Sequence, residues 1–201
     1  METHVADPAL FGHIRIVIGM VISLSLARLL TGLALFIQHP GRNKVYWVHL
    51  GWTLSLFIFI LHFWWWEFRL QSLPEISFGI YLFLIAFGCL FFFLCVLLFP
   101  ASIDEYTGYE HYFMSRRAWF FGFLALAYAI DLADTAIKGE AYFRHTYFND
   151  FGYEYPIRNV VFILLCGLAA WTTNRTFHGT FVLAGLAYQI AWIFRVFDII
   201  G

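Results

Sequence analysis

Residues 118–138 read AWFFGFLALAYAIDLADTAIK, an apolar run long enough to cross a bilayer that nevertheless carries two carboxylates, Asp131 and Asp134. Three residues apart, they share one face of a helix, with Tyr128 one turn before and Lys138 one turn after. A charge in hydrocarbon is costly, so each carboxylate must face water or a partner rather than lipid. The rest of the chain should therefore supply those partners.

The composition sets the class. Of 201 residues, 62% are hydrophobic and only 12% are charged, against about 25% charged in a soluble domain. So few charges cannot clothe a water-facing surface. Low complexity is no explanation, because the apolar residues are mixed and 22% of the chain is aromatic. The chain reads as an integral, multi-pass protein of a bacterial cytoplasmic membrane, with the lipid bilayer as its solvent. A net charge of −1 offers no basic field for nucleic acid. Cys89, Cys95 and Cys166 all lie in apolar runs, as small buried hydrophobes do, and suggest neither a disulfide framework nor a metal knuckle.

Six apolar stretches predict an all-α, polytopic six-transmembrane-helix bundle forming one transmembrane domain over 1–201. The spans are about 14–37, 45–66, 76–99, 118–138, 156–172 and 177–197. Residues 1–10 lack the basic start and cleavage site of a signal peptide, so the first helix is expected to remain. Gly19, Ser23 and Gly32 mark a small-residue face on it. The run HFWWWEFR, residues 62–69, reads as an interfacial aromatic belt, with Glu67, like Glu154, solvated at its edge. The third span carries no charge and is expected to be the most lipid-exposed. Tyr106, Tyr109, Tyr112 and Phe113 recur at helical spacing and suggest a short helix lying on the membrane surface before the fourth span. Residues 139–155 are dense in aromatics and are expected to fold back as a cap on the bundle. Asn174-Arg175-Thr176 matches a glycosylation sequon, but in so short a turn the match reads as chance. The excess of Lys and Arg in the connectors one–two, three–four and five–six places both termini outside.

At about 1.5 Å of rise per residue, Asp131, Asp134, His62, Gln189, Arg195 and Ser23 fall in the same half of the membrane, and Arg28 lies near its middle. They come from spans one, two, four and six. Spans three and five are expected to offer no polar side chain at that depth. Asp131, Asp134, Arg28, Arg195, His62, Tyr128 and Gln189 are therefore the candidate binding or transport residues. Arg28 or Arg195 is expected to pair with Asp131, the deeper carboxylate, and Lys138 with Asp134. The same groups could instead form a neutral knot that only fixes helix register.

Three functions fit this pattern. The first is a small channel or transporter for an ion, proton or small polar solute, with its site at the Asp/Arg/His cluster. The second is an accessory subunit, in a homo-oligomer or with a membrane-protein partner. The third is a membrane redox protein holding haem, or an enzyme. Haem between facing helices needs paired histidines. Only His62 is clearly intramembrane, while His49 and His178 lie near one surface and His13 and His145 near the other. A retinal-type Schiff base would need an intramembrane lysine, yet Lys138 and Lys44 sit at a helix end and in a loop. No HExxH, GxSxG, P-loop or cysteine-pair signature points to catalysis.

Overall fold

The computed structural model describes residues 8–39, 41, 44–67, 70, 73, 76–139, 144 and 152–200. Within them the protein is all-helical, with six helices each long and apolar enough to cross a membrane. They are α1 (Pro8–Gln38), α2 (Trp47–Trp66), α3 (Phe78–Leu98), α4 (Tyr109–Ile137), α5 (Glu154–Trp171) and α6 (Arg175–Ile200). The chain passes up and down. One end of the bundle gathers the start of α1, the α2–α3 and α4–α5 connections and the end of α6. The opposite end holds the three remaining connectors.

Local chemistry fixes several helix ends. Ser77 caps α3 by accepting from the Ile80 amide at 3.2 Å. Asn174 caps α6, its Oδ1 accepting from the amides of Thr176 and Phe177 at 2.9 and 3.2 Å. The cap gives this asparagine a structural task that is independent of the sequon match. Gly108 starts α4 at φ 149°, a backbone conformation open to glycine but not to other residues.

That early start corrects one expectation. Tyr109, Tyr112 and Phe113 do not form a separate surface helix; they are the first turns of α4, which runs unbroken for 29 residues. All three are buried. Tyr109 and Phe113 pack around the ring of His49, and the Tyr112 hydroxyl donates to the Leu97 carbonyl at 2.9 Å. Packing against α2 and α3 therefore outweighs any preference for the lipid surface. At about 1.5 Å per residue α4 is about 43 Å long, well beyond a hydrocarbon core of about 30 Å.

The expectation for α3 is also reversed. It is packed between α1 and α4 and touches α2. Leu84, Phe87, Leu90, Phe91, Leu94, Cys95 and Leu98 are buried in it, and α1 and α5 expose more of themselves. Hydropathy cannot separate lipid from protein as the neighbour of an apolar side chain, and here aromatic pairs such as Phe59–Phe91 and Phe63–Phe87 fill that role. On α1, Gly32 lies under Phe99, where an added Cβ would come within 2.2 Å of the ring. Ser23, by contrast, is exposed. The aromatic cap expected over 139–155 falls mostly outside the described residues.

The mid-bundle core is aromatic. Trp52 is 1% exposed and meets the rings of Phe181, Phe121 and Phe120 at centroid distances of 4.9, 5.2 and 5.8 Å.

Candidate functional site

A cavity of about 80 Å³ lies at the end of the bundle that holds the α2–α3 and α4–α5 connections, between α2, α4, α5 and α6. A water needs about 10–15 Å³ of such space, so the cavity has room for several waters or for a solute of a few heavy atoms. Asp131, Asp134, His62, Tyr128 and Gln189 line it. Tyr128 is buried between Phe59, on which it stacks, and the tilted ring of Phe162, each with ring centroids 4.9 Å away. Gln189 is held to α2 by Ser55, whose hydroxyl donates to Gln189 Oε1 at 2.8 Å.

The two aspartates have different partners. Lys138 Nζ donates to Asp134 Oδ2 at 2.6 Å and to Glu67 Oε1 at 3.0 Å. Glu67 and Lys138 are almost completely buried, each with its side chain 2% exposed. Glu67 therefore does not sit solvated at the edge of the tryptophan belt. Its carboxylate turns inward because the Lys138 ammonium is there to receive it, an ion pair across 71 positions of chain. Glu67 follows the end of α2, and burial pushes its carboxyl above the ordinary range while the Lys138 ammonium pulls it back.

Asp131 faces α5. Its Oδ2 accepts from Asn159 Nδ2 at 2.7 Å, from the Tyr155 hydroxyl, and more distantly from Arg158 Nη2 at 3.4 Å. Arg158 also donates to Asn159 Oδ1 through Nε at 2.9 Å and Nη2 at 2.7 Å, so Asn159 bridges carboxylate and guanidinium. The guanidinium lies 4.7 Å from the Tyr155 ring centroid and 5.3 Å from that of Trp192. The fifth helix thus supplies polar groups to the cluster, against the expectation that it offers none. Tyr155, Arg158 and Asn159 stand at positions i, i+3 and i+4 of a helix that is apolar from Val160 onward. That spacing was the signal in the sequence for a polar stripe on one face.

Neither expected arginine reaches Asp131. Arg195 pairs with Glu154 at the rim, Nη2 to Oε1 at 2.7 Å and Nη1 to Oε2 at 3.1 Å, and the Tyr188 hydroxyl joins Oε1 at 2.9 Å. Glu154 is accordingly a paired carboxylate. Arg28 lies at the opposite end and donates to the Phe99 carbonyl at 2.6 Å.

That opposite end shows what the half-buried arginines and the buried histidines do. The last carbonyls of a helix have no partner within it. At the end of α3, Tyr112 serves Leu97, His49 Nε2 serves Leu98 at 2.7 Å, and Arg28 serves Phe99. At the end of α5, Arg117 donates to Thr172 at 3.0 Å and Trp171 at 3.3 Å, and His178 Nε2 reaches Thr172 at 3.0 Å. Donors here also complement the negative end of the helix dipole. These bonds leave His49 and His178 unsuited to haem, since the Nε2 that would meet iron is engaged with a backbone carbonyl. His13 is exposed on α1 and His145 lies outside the described residues. Among the described residues no group of three His, Cys, Asp or Glu side chains is placed to hold a metal.

No family model, no curated protein and no solved structure matches this chain.

Proposed function

We propose that the protein is a small multi-pass carrier for an ion or small polar solute, with its site in the cavity between α2, α4, α5 and α6. The observation that carries this reading is the lining of that cavity. Three carboxylates and two cations, with Gln189 and His62, surround space large enough for a solute. A knot that served only to fix register needs no such space, because its charges satisfy one another in direct contact.

A carrier fits better than an open pore. Between the cavity and the opposite face stand Trp52, Phe120, Phe121 and Phe181, all buried and in mutual ring contact. Passage therefore requires these helices to move, as alternating access does. In this proposal the protein resides in a bacterial cytoplasmic membrane with both termini outside, so the cavity is the outward-facing site.

The test is flux in proteoliposomes. Asp131 contacts α5 through neutral as well as charged donors, so Asp131→Asn should remain folded and monodisperse while losing transport. Retention of full flux by a folded Asp131→Asn protein would place the site elsewhere. Absence of flux for every small ion and polar solute tried with the wild-type protein would remove the carrier reading.

A further inference from the structure

Glu67 has an unmet hydrogen bond. Its Oε1 is taken by Lys138, but Oε2 is buried without a hydrogen-bond partner, and the side chain lines the cavity. Buried acceptors are nearly always paired, and leaving one unpaired costs free energy. When the carboxyl is ionised, what this oxygen lacks is a donor.

The charges around it say which donor. The lining carries Glu67, Asp131 and Asp134 against Lys138 and Arg158, three acids to two bases and so a formal excess of one negative charge. Both cations are already engaged. Lys138 is shared by Asp134 and Glu67, and Arg158 by Asp131 and Asn159. An entering anion would meet neutralised cations and surplus carboxylate. An entering cation would meet surplus carboxylate, with Oε2 buried just behind the wall and reached by a turn of the Glu67 carboxyl. The remaining walls are largely aromatic, among them Phe59, Tyr128 and Trp66, and such apolar bodies suit an alkyl group.

We propose that the cavity takes a small organic monocation, a protonated amine of a few heavy atoms, and that Glu67 Oε2 receives its N–H. This rests on the carrier reading for the site's purpose, but binding can be measured without transport. A bare divalent ion is the poorer fit, because it needs six or more oxygen ligands and Lys138, Arg158, Asn159 and Tyr155 already engage carboxylate oxygens of the lining.

The experiment is a titration of tryptophan fluorescence in the purified full-length protein, with methylammonium as the cationic probe and acetate as an anion of similar size, at constant ionic strength. Wild-type protein should respond saturably to methylammonium and not to acetate. Glu67→Gln should weaken methylammonium binding by about tenfold or more, the loss of one charge-assisted hydrogen bond. Glu105→Gln, exposed in the connector at the opposite end, should leave it unchanged. If Glu67→Gln is not monodisperse, Glu67→Asp and the wild-type pH profile decide the matter. Retracting the carboxylate should weaken binding, and so should lowering the pH, since a proton competes for Oε2. The groups facing Glu67 in that profile are Lys138, Asp134 and Asp131 on the α4 side, Arg158 on α5 and His62 on α2.

Preference for acetate, no saturable methylammonium response in the wild type, or an unchanged affinity in Glu67→Gln would each overturn the proposal. Methylammonium binding without flux in vesicles would remove the carrier reading and leave this inference standing. Flux of another solute that methylammonium does not inhibit would do the reverse.

Discussion

Asp131 and Asp134 lie one turn apart on the same face of α4, yet they belong to two separate polar systems. Asp134 is bound within its own helix and toward α2 through Lys138. Asp131 is bound to α5 through Asn159, Tyr155 and Arg158. One face of α4 thus fastens two neighbouring helices, with the cavity between the fastenings. Burial also runs opposite to the depth estimate. Asp134, nearer the helix end, has its side chain 11% exposed, and Asp131 has 20%. Sequence depth measures distance along a helix, while burial depends on which neighbour covers the side chain.

Lys138 should be the most sensitive ionisable position in the cluster. Lys138→Met leaves Glu67 and Asp134 as uncompensated buried carboxylates, and breaking a buried pair from one side costs about 3–5 kcal/mol. Thermal unfolding in detergent should show a large drop, and adding Glu67→Gln to the same protein should recover part of it. Equal stability of Lys138→Met and wild type would mean that this pair does not hold α2 to α4.

Asn159 is fully buried and serves both charges of the α5 contact. Asn159→Leu keeps its approximate size but removes a donor from Asp131 and an acceptor from Arg158. The expected loss is about 1–3 kcal/mol, the cost of leaving buried polar groups unpaired. A melting temperature within error of wild type would show that water replaces the amide at no cost.

Arg28 should affect stability and not binding. It caps the end of α3 and does not line the cavity. Arg28→Ala should cost about 1.5–3 kcal/mol, as for a hydrogen bond to a charged group, with methylammonium affinity and any flux per folded molecule unchanged. A folded Arg28→Ala protein that lost binding would return this arginine to the site.

Glu67 should give stability a pH dependence of definite sign. Burial raises its carboxyl above the ordinary 4.5 despite the opposing Lys138 ammonium. The folded state therefore binds this proton more tightly than the unfolded state does. The resulting contribution is complete below the ordinary value and is lost as pH rises through the raised one. From pH 4.5 upward, wild type should lose stability relative to Glu67→Gln, which does not titrate there. Parallel melting profiles for the two proteins would contradict the shift.

The sequence by itself determined the class and the spans. Hydrophobic runs of bilayer length and the scarcity of charge leave one solution, because a backbone in lipid must satisfy its hydrogen bonds internally and a helix does so within one segment. It also determined that Asp131 and Asp134 share a face and that Lys138 is in reach of Asp134, since those relations depend only on helical periodicity. Tertiary structure alone decided which helix lies beside which. That choice sent Arg28 to the carbonyls of α3, Arg195 to Glu154, and Arg158 and Asn159 to Asp131. It also drew Glu67 inward to Lys138. Lateral order among apolar helices is set by the fit of side chains such as Phe99 over Gly32. Neither hydropathy nor spacing along the chain records that fit, because lipid and protein neighbours are equally apolar.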